Sequence, residues 1–227
     1  MLKLYIGNKN YSSWSMRAWV LLKQAGIAFE EVQLRFDSFD AGSQFQRAAS
    51  AIGPTGKVPV LVDGDLTVWD SLAIAEYLAE RFPEKRLWPA GVQARARARS
   101  VCAEMHAGFT ALRGACGMNI EAALPEAGAR LWREQPAVRA DVQRITHMWQ
   151  ELLAEHPDQL LFGDFTIADA YFAPICMRLV TYALPVPEDI TAYIGRVRAL
   201  PGVAAWVAGA LAEHDFRPFE EPYRPAP

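Results

Sequence analysis

The sequence predicts an α/β domain of order β-α-β-α-β-β-α over residues 1–81, followed by an all-helical domain over residues 90–227. Three observations predict this division. Short runs that alternate apolar and polar residues are confined to the first third of the chain. After Phe82-Pro-Glu-Lys-Arg-Leu-Trp-Pro89, whose bracketing prolines mark a linker, strand patterns nearly vanish and apolar residues recur at spacings of three and four. Asp63-Gly64 lies between two short apolar runs and makes them a hairpin, so the sheet is mixed and helices cover it.

Each element has its own signal. Leu2-Lys-Leu-Tyr-Ile6 alternates and then meets Gly7, a strand. From Ser15 to Ala25, Trp19, Val20 and Leu22 are mixed with Arg17 and Lys23, a helix pattern that Gly26 stops. Phe29 to Leu34 alternates as a second strand, and Phe39 to Ser50 reads as a short helix or an irregular segment. Val58 to Val62 is a buried strand paired with Leu66 to Trp69. Leu72 to Phe82 is a helix with Ala73, Ile74, Tyr77 and Leu78 along one side.

Beyond the linker, Arg95 to Arg113 reads as one long helix. Val138, Val142, Ile145, Trp149 and Leu152 form an amphipathic stripe. Thr166-Ile-Ala-Asp169 matches a capping box and opens a helix that is apolar almost all round, through Tyr171, Phe172, Ile175 and Met177, which places it centrally. Two helices follow near Ile190 to Leu200 and Gly202 to Glu213. The proline-rich tail from Pro218 to Pro227 reads as irregular.

Bulk properties exclude several classes. The 227 residues are 52% hydrophobic and 22% charged, which suits a packed core rather than disorder. A net charge of -3 excludes the strong basic excess of a nucleic-acid surface. Three cysteines, Cys102, Cys116 and Cys176, fit reduced cytosolic thiols better than a disulfide framework. Met-Leu-Lys-Leu-Tyr-Ile-Gly lacks the apolar core of a signal peptide. The longest apolar run, Val203 to Ala212, is about half the ~20 residues that span a bilayer. The expectation is a cytoplasmic protein with no nucleic-acid or membrane partner.

Three local features carry chemistry. Val58-Pro59 at a strand start marks a sheet edge or a cis peptide bond; the cis form would turn the Val58 amide and carbonyl outward to pair with an extended peptide. Asp70-Ser71 heads a helix, as an ordinary N-cap or as a site where backbone N–H groups and a hydroxyl hold a carboxylate while Asp70 holds an ammonium. Tyr11-Ser-Ser-Trp-Ser15 precedes a helix, as a capping run or as a hydroxyl donor to a thiolate. Cys102 and His106 lie four apart with no second pair to complete a structural zinc site, so they read as a packed cysteine and a polar histidine. Arg178 inside an apolar helix either pairs internally or reaches a substrate carboxylate. No phosphate-binding glycine loop or nucleophile elbow is present.

In this order the three features resemble a cytosolic glutathione S-transferase over nearly the whole chain, with a thioredoxin-like glutathione domain followed by the helical domain. Ser12-Ser-Trp-Ser15 with Arg17 is similar to the serine motif of the zeta class, with Trp14 where that class has cysteine. Counting back from Gly26 sets Ser12 at the activating serine of theta and zeta enzymes, with Ser13 and Ser15 as alternatives. Val58-Pro59 resembles the pair that binds the cysteinyl backbone of glutathione. Lys57 resembles a lysine that helps hold the tripeptide, and Asp70-Ser71 the pair that grips its γ-glutamyl end.

The resemblance implies glutathione as co-substrate, no metal and a homodimer. It implies a thiolate steadied by Ser12 that attacks a small electrophile. Trp14, Met105, Phe109, Leu112, Arg113 and Arg178 are the candidate walls of the electrophile pocket. A maleylacetoacetate-type isomerase is the alternative enzyme, although Arg178 follows Pro174 at a different spacing from that class. A non-catalytic binding or regulatory module is the alternative of another kind.

Overall fold

A computed structural model describes residues 1–224. The last three residues of the expected tail and second domain lie outside the described residues. Strands β1 (Leu2–Ile6), β2 (Phe29–Gln33), β3 (Val60–Asp63) and β4 (Leu66–Val68) form one sheet in the order β2-β1-β3-β4. β1 runs parallel to β2 and antiparallel to β3, and β3–β4 is the hairpin, turning over Gly64-Asp65. The alternation of β1 is realised: Leu2, Leu4 and Ile6 are buried, with Lys3 and Tyr5 on the other face.

Helices α1 (Ser13–Gln24), α2 (Gln44–Ile52) and α3 (Ser71–Arg81) complete the first domain. The segment left open between helix and irregular is therefore a helix. Gly26, at φ +64°, ends α1 with its N–H on the Lys23 carbonyl, the stop the sequence indicated. A one-turn 3-10 helix, Pro83–Lys85, lies in the linker.

The second domain holds α4 (Val92–Ala107), α5 (Thr110–Ala115), α6 (Pro125–Glu134), α7 (Pro136–Glu155), α8 (Ile167–Thr181), α9 (Glu188–Ala199) and α10 (Pro201–Glu213). The long helix expected over Arg95 to Arg113 is in fact two. Gly108 leaves the helical path and Phe109 adopts a left-handed conformation, φ 55°, after which Asp141 of α7 accepts the Leu112 N–H and anchors α5. Periodicity could not reveal this break, because the apolar positions on either side continue almost in phase. α6 was not among the elements the sequence indicated; it is short and buries only Gly128 and Leu131.

α8 is the buried axis of the molecule. Its capping box forms as the sequence predicts, with Thr166 as N-cap and Asp169 bonded back to it. α1 packs on α8 and α10, so the two domains share one core. Among the described residues no helix is long and apolar enough to cross a membrane.

Gly128 in α6 brings its backbone so near Tyr182 that an added Cβ would stand 1.7 Å from the Tyr182 carbonyl oxygen. Gly128→Ala is expected to destabilise the fold by about 1–3 kcal/mol through this backbone clash, read as a lowered thermal midpoint despite alanine's better helix propensity.

Candidate active site

The loop entering α1 is fixed by a buried polar net. Tyr11 donates its hydroxyl to Glu221 Oε1 at 2.7 Å, and Asn119 donates to Glu221 Oε2 at 2.8 Å. Asn10 donates to Asn119 Oδ1 at 3.0 Å. The C-terminal segment thus ties down the residues just before the serines. Burial, with the Glu221 bond second, pushes the Tyr11 phenol up to about 12, so it remains a donor at neutral pH.

Ser12 and Ser15 are bonded to each other, and Ser13 to an arginine of the core. Ser12 is the N-cap residue and donates to Ser15 Oγ at 2.7 Å. Ser15 Oγ also accepts the Gly7 N–H at 3.1 Å and is fully buried. Ser13 Oγ accepts from Arg178 Nη2 at 3.0 Å.

The start of β3 and that of α3 supply further candidate residues. The Val58–Pro59 bond is cis, so of the two readings of that pair the structure has the second. Trp69–Asp70 is also cis, a feature with no sequence signal. Among the described residues the Val58 N–H and carbonyl have no hydrogen-bond partner. Asp70 Oδ1 accepts from the Leu72 N–H at 2.9 Å and the Ala73 N–H at 3.5 Å, an N-cap. Its other oxygen, Oδ2, lies 2.9 Å from His106 Nε2 of α4. Ser71, the first residue of α3, is 3.1 Å through its hydroxyl from the Tyr171 hydroxyl of α8. Capping and cleft-lining are therefore compatible in Asp70-Ser71, because the cap uses one carboxylate oxygen.

These walls enclose a cleft of about 730 Å³ between the domains. Of the residues predicted from sequence it brings together Lys57, Val58, Pro59, Asp70, Ser71, Trp14 and Arg113. Thr55, Trp69, Ala73 and His106 line it unanticipated. From the sequence alone His106 reads as an ordinary polar residue four after Cys102. Cys102 faces the core, where burial pushes its thiol far up, whereas His106 faces the cleft, its ring centroid 5.1 Å from that of Trp14 in an edge-to-face arrangement. The helix turn between them sends the two in different directions, and no cluster of metal-binding side chains occurs among the described residues.

Other predicted wall residues sit elsewhere. Met105, Phe109 and Leu112 are buried in the core rather than on the cleft, because the α4–α5 break turns this stretch inward. Arg178 is buried and spends its guanidinium on Ser13 and on the Cys116 and Arg113 carbonyls. Ser12, Ser13 and Ser15 lie at the α1 N-terminus, buried and outside the cleft lining.

Trp14 is set among cations. The Arg17 guanidinium lies 4.0 Å from its ring centroid and that of Arg113 4.8 Å. Burial, then repulsion from Arg178 and Arg113, pulls Arg17 down to about 9; burial first and Arg113 second pull Arg178 down to about 10. All three are guanidinium ions at neutral pH.

Residues 11–81 match the family model described as "Glutathione S-transferase, N-terminal domain". Glutathione S-transferase 1 of Dianthus caryophyllus is 28% identical over 182 residues, 79% of this chain and 78% of that protein. A zeta-class glutathione S-transferase of Euphorbia esula is 28% identical, covering 79% of this chain and 76% of its own. A glutathione transferase homologue from Burkholderia GL BGR1, solved with bound glutathione, superposes with TM-score 0.68 at 28% identity, over 92% of this chain and 97% of that one. Residues 11–81 thus match the glutathione S-transferase N-terminal domain, and the chain as a whole is similar to cytosolic glutathione S-transferases. The matched glutathione S-transferase segment contains the three serines, Lys57, the cis Val58–Pro59 pair and Asp70-Ser71. His106 and Arg113 come from the helical domain, beyond that segment.

Proposed function

We propose that this protein is a glutathione S-transferase of the serine type. The observation that carries the proposal is the convergence, in one interdomain cleft, of the unpaired Val58 backbone beside a cis proline, Lys57, and the capped N-terminus of α3 with Asp70-Ser71. Glutathione is an extended zwitterionic peptide that matches each in turn. Its cysteinyl backbone pairs with Val58, and its γ-glutamyl carboxylate takes Ser71 and the α3 amides. Its ammonium takes Asp70 Oδ2, the oxygen that His106 holds in the free protein. Lys57 attracts the glycine carboxylate.

Ser12 is the proposed thiolate donor. Its hydroxyl bonds only to Ser15 among the described residues, and a hydroxyl proton is free to rotate to a stronger, anionic acceptor. Ser13 is the second candidate, because the Arg178 guanidinium donating to it polarises its O–H outward. Ser15, fully buried and holding the Gly7 N–H, is structural. The maleylacetoacetate-type alternative loses its arginine, since Arg178 is committed inside the fold. By the same family reading we propose a homodimer in the cytoplasm.

Calorimetric titration with reduced glutathione tests the proposal. Saturable one-to-one binding is expected, weakened roughly tenfold in Ser71→Ala, about the effect of one charge-assisted hydrogen bond. Absence of heat at millimolar glutathione would remove the transferase reading and leave a non-catalytic module.

A further inference from the structure

The second substrate's chemistry is written in the charges around Trp14. Lys57, Ser71 and Asp70 all have a role towards a tripeptide, which leaves Arg113 as the cation of the cleft wall without one. Its Nη1 donates to the His106 and Gly108 carbonyls at 3.2 and 2.8 Å, which fixes the guanidinium plane. Its Nε and Nη2 make no hydrogen bond among the described residues. Its nearest acidic influence, Asp141, spends an oxygen on the Leu112 N–H, and among the described residues no carboxylate forms a salt bridge with Arg113.

The field around it is positive. Arg17 and Arg178 are close enough to repel one another and Arg113, and among the described residues neither forms a salt bridge with a carboxylate. Beside this excess lies the flat Trp14 ring, edged by His106. A neutral apolar acceptor would leave the excess unanswered. A planar acceptor carrying a carboxylate would lay its ring along Trp14 and put its charge on the free edge of Arg113, in the two-pronged geometry that a guanidinium offers.

We propose that the electrophiles of this site are halogen-substituted aromatic carboxylates, held by Arg113 against Trp14. This rests on the glutathione reading above and narrows it. In such a transfer the glutathione sulfur, its proton already lost to solvent, forms a C–S bond at the activated ring carbon. The carbon–halogen bond then breaks and the halide leaves with its electron pair.

The test uses the finished adducts, so it does not depend on turnover. S-(4-carboxy-2-nitrophenyl)glutathione and its methyl ester are each titrated calorimetrically against wild type and Arg113→Gln, beside glutathione itself. The acid is expected to bind roughly ten- to a hundredfold more tightly than the ester, the range of a bidentate charge-assisted contact. Arg113→Gln should bring the two to near equality. Arg113→Met, which keeps the stem over Trp14, repeats the comparison should the glutamine variant not fold. Equal affinities in the wild type, or a preference that survives loss of the guanidinium, overturn the inference and leave the glutathione reading standing. Failure of both adducts and of glutathione to bind overturns that reading, and this inference with it.

Discussion

Asp169→Ala is expected to lower the unfolding free energy by about 3–5 kcal/mol, because it strips the partner from several buried donors at once. Asp169 has no solvent exposure. Its Oδ2 accepts the Thr166 N–H at 2.9 Å and the Thr166 hydroxyl at 3.2 Å. Its Oδ1 accepts the Leu161 N–H at 3.2 Å and the Tyr193 hydroxyl at 3.1 Å. Thus one carboxylate joins the α8 N-terminus, the segment before it and α9. Asp169→Asn keeps the shape but sets an amide nitrogen against one pair of these donors, so an intermediate loss is expected.

The same residue predicts a pH dependence. Burial raises the folded-state carboxyl to about 6, above the ordinary value near 3.9, although its hydrogen bonds oppose the rise. Between about pH 4 and pH 6 the folded protein therefore binds more protons than the unfolded chain. The stability this group contributes is complete below about pH 4 and lost as pH rises through about 6, a fall of roughly 2–3 kcal/mol. Guanidinium unfolding at several pH values, wild type against Asp169→Asn, isolates that slope. An unchanged slope in the variant would show that the carboxyl is ionised throughout.

The fold was legible because its local signals agree with one another. Alternation placed β1 and β2, the Asp-Gly pair placed the β3–β4 hairpin, and Thr166 with Asp169 placed the start of α8. The half of the cleft built from β3 and α3 was legible for a related reason. Lys57 to Pro59 and Asp70-Ser71 are each contiguous, and one short hairpin brings them together. The other half comes from α1, α4 and α5, whose relation depends on packing. Phe109 in a left-handed conformation turned Phe109 and Leu112 inward, and His106 reached the cleft in place of its neighbour Met105. A helix period does not record which of two adjacent faces meets another domain. Arg178 misled for a different reason: an arginine in an apolar helix signals a partner, and here the partners are Ser13 and backbone carbonyls.

Ser12→Ala is expected to lower kcat/KM at neutral pH by about 10- to 100-fold, through the acidity of the bound thiol. A free thiol titrates near 8.5, and each unit of depression corresponds to about 1.36 kcal/mol of preference for the thiolate. A hydroxyl donor and the α1 N-terminus together account for about one to two units. Without the Ser12 donor the pKa of bound glutathione should climb towards its free value. The rising limb of the pH–rate profile should move up with it, and much of the lost rate should return above that new pKa. Ultraviolet absorbance of the bound thiolate follows the same titration without an electrophile. Ser13→Ala is the matched control, because it removes the neighbouring hydroxyl and releases the Arg178 contact. A shift in the Ser13 variant alone would transfer the donor role to the hydroxyl that Arg178 polarises. A rate loss in either variant with the thiol pKa unmoved would mean that these serines set the shape of the α1 entry rather than the charge on sulfur.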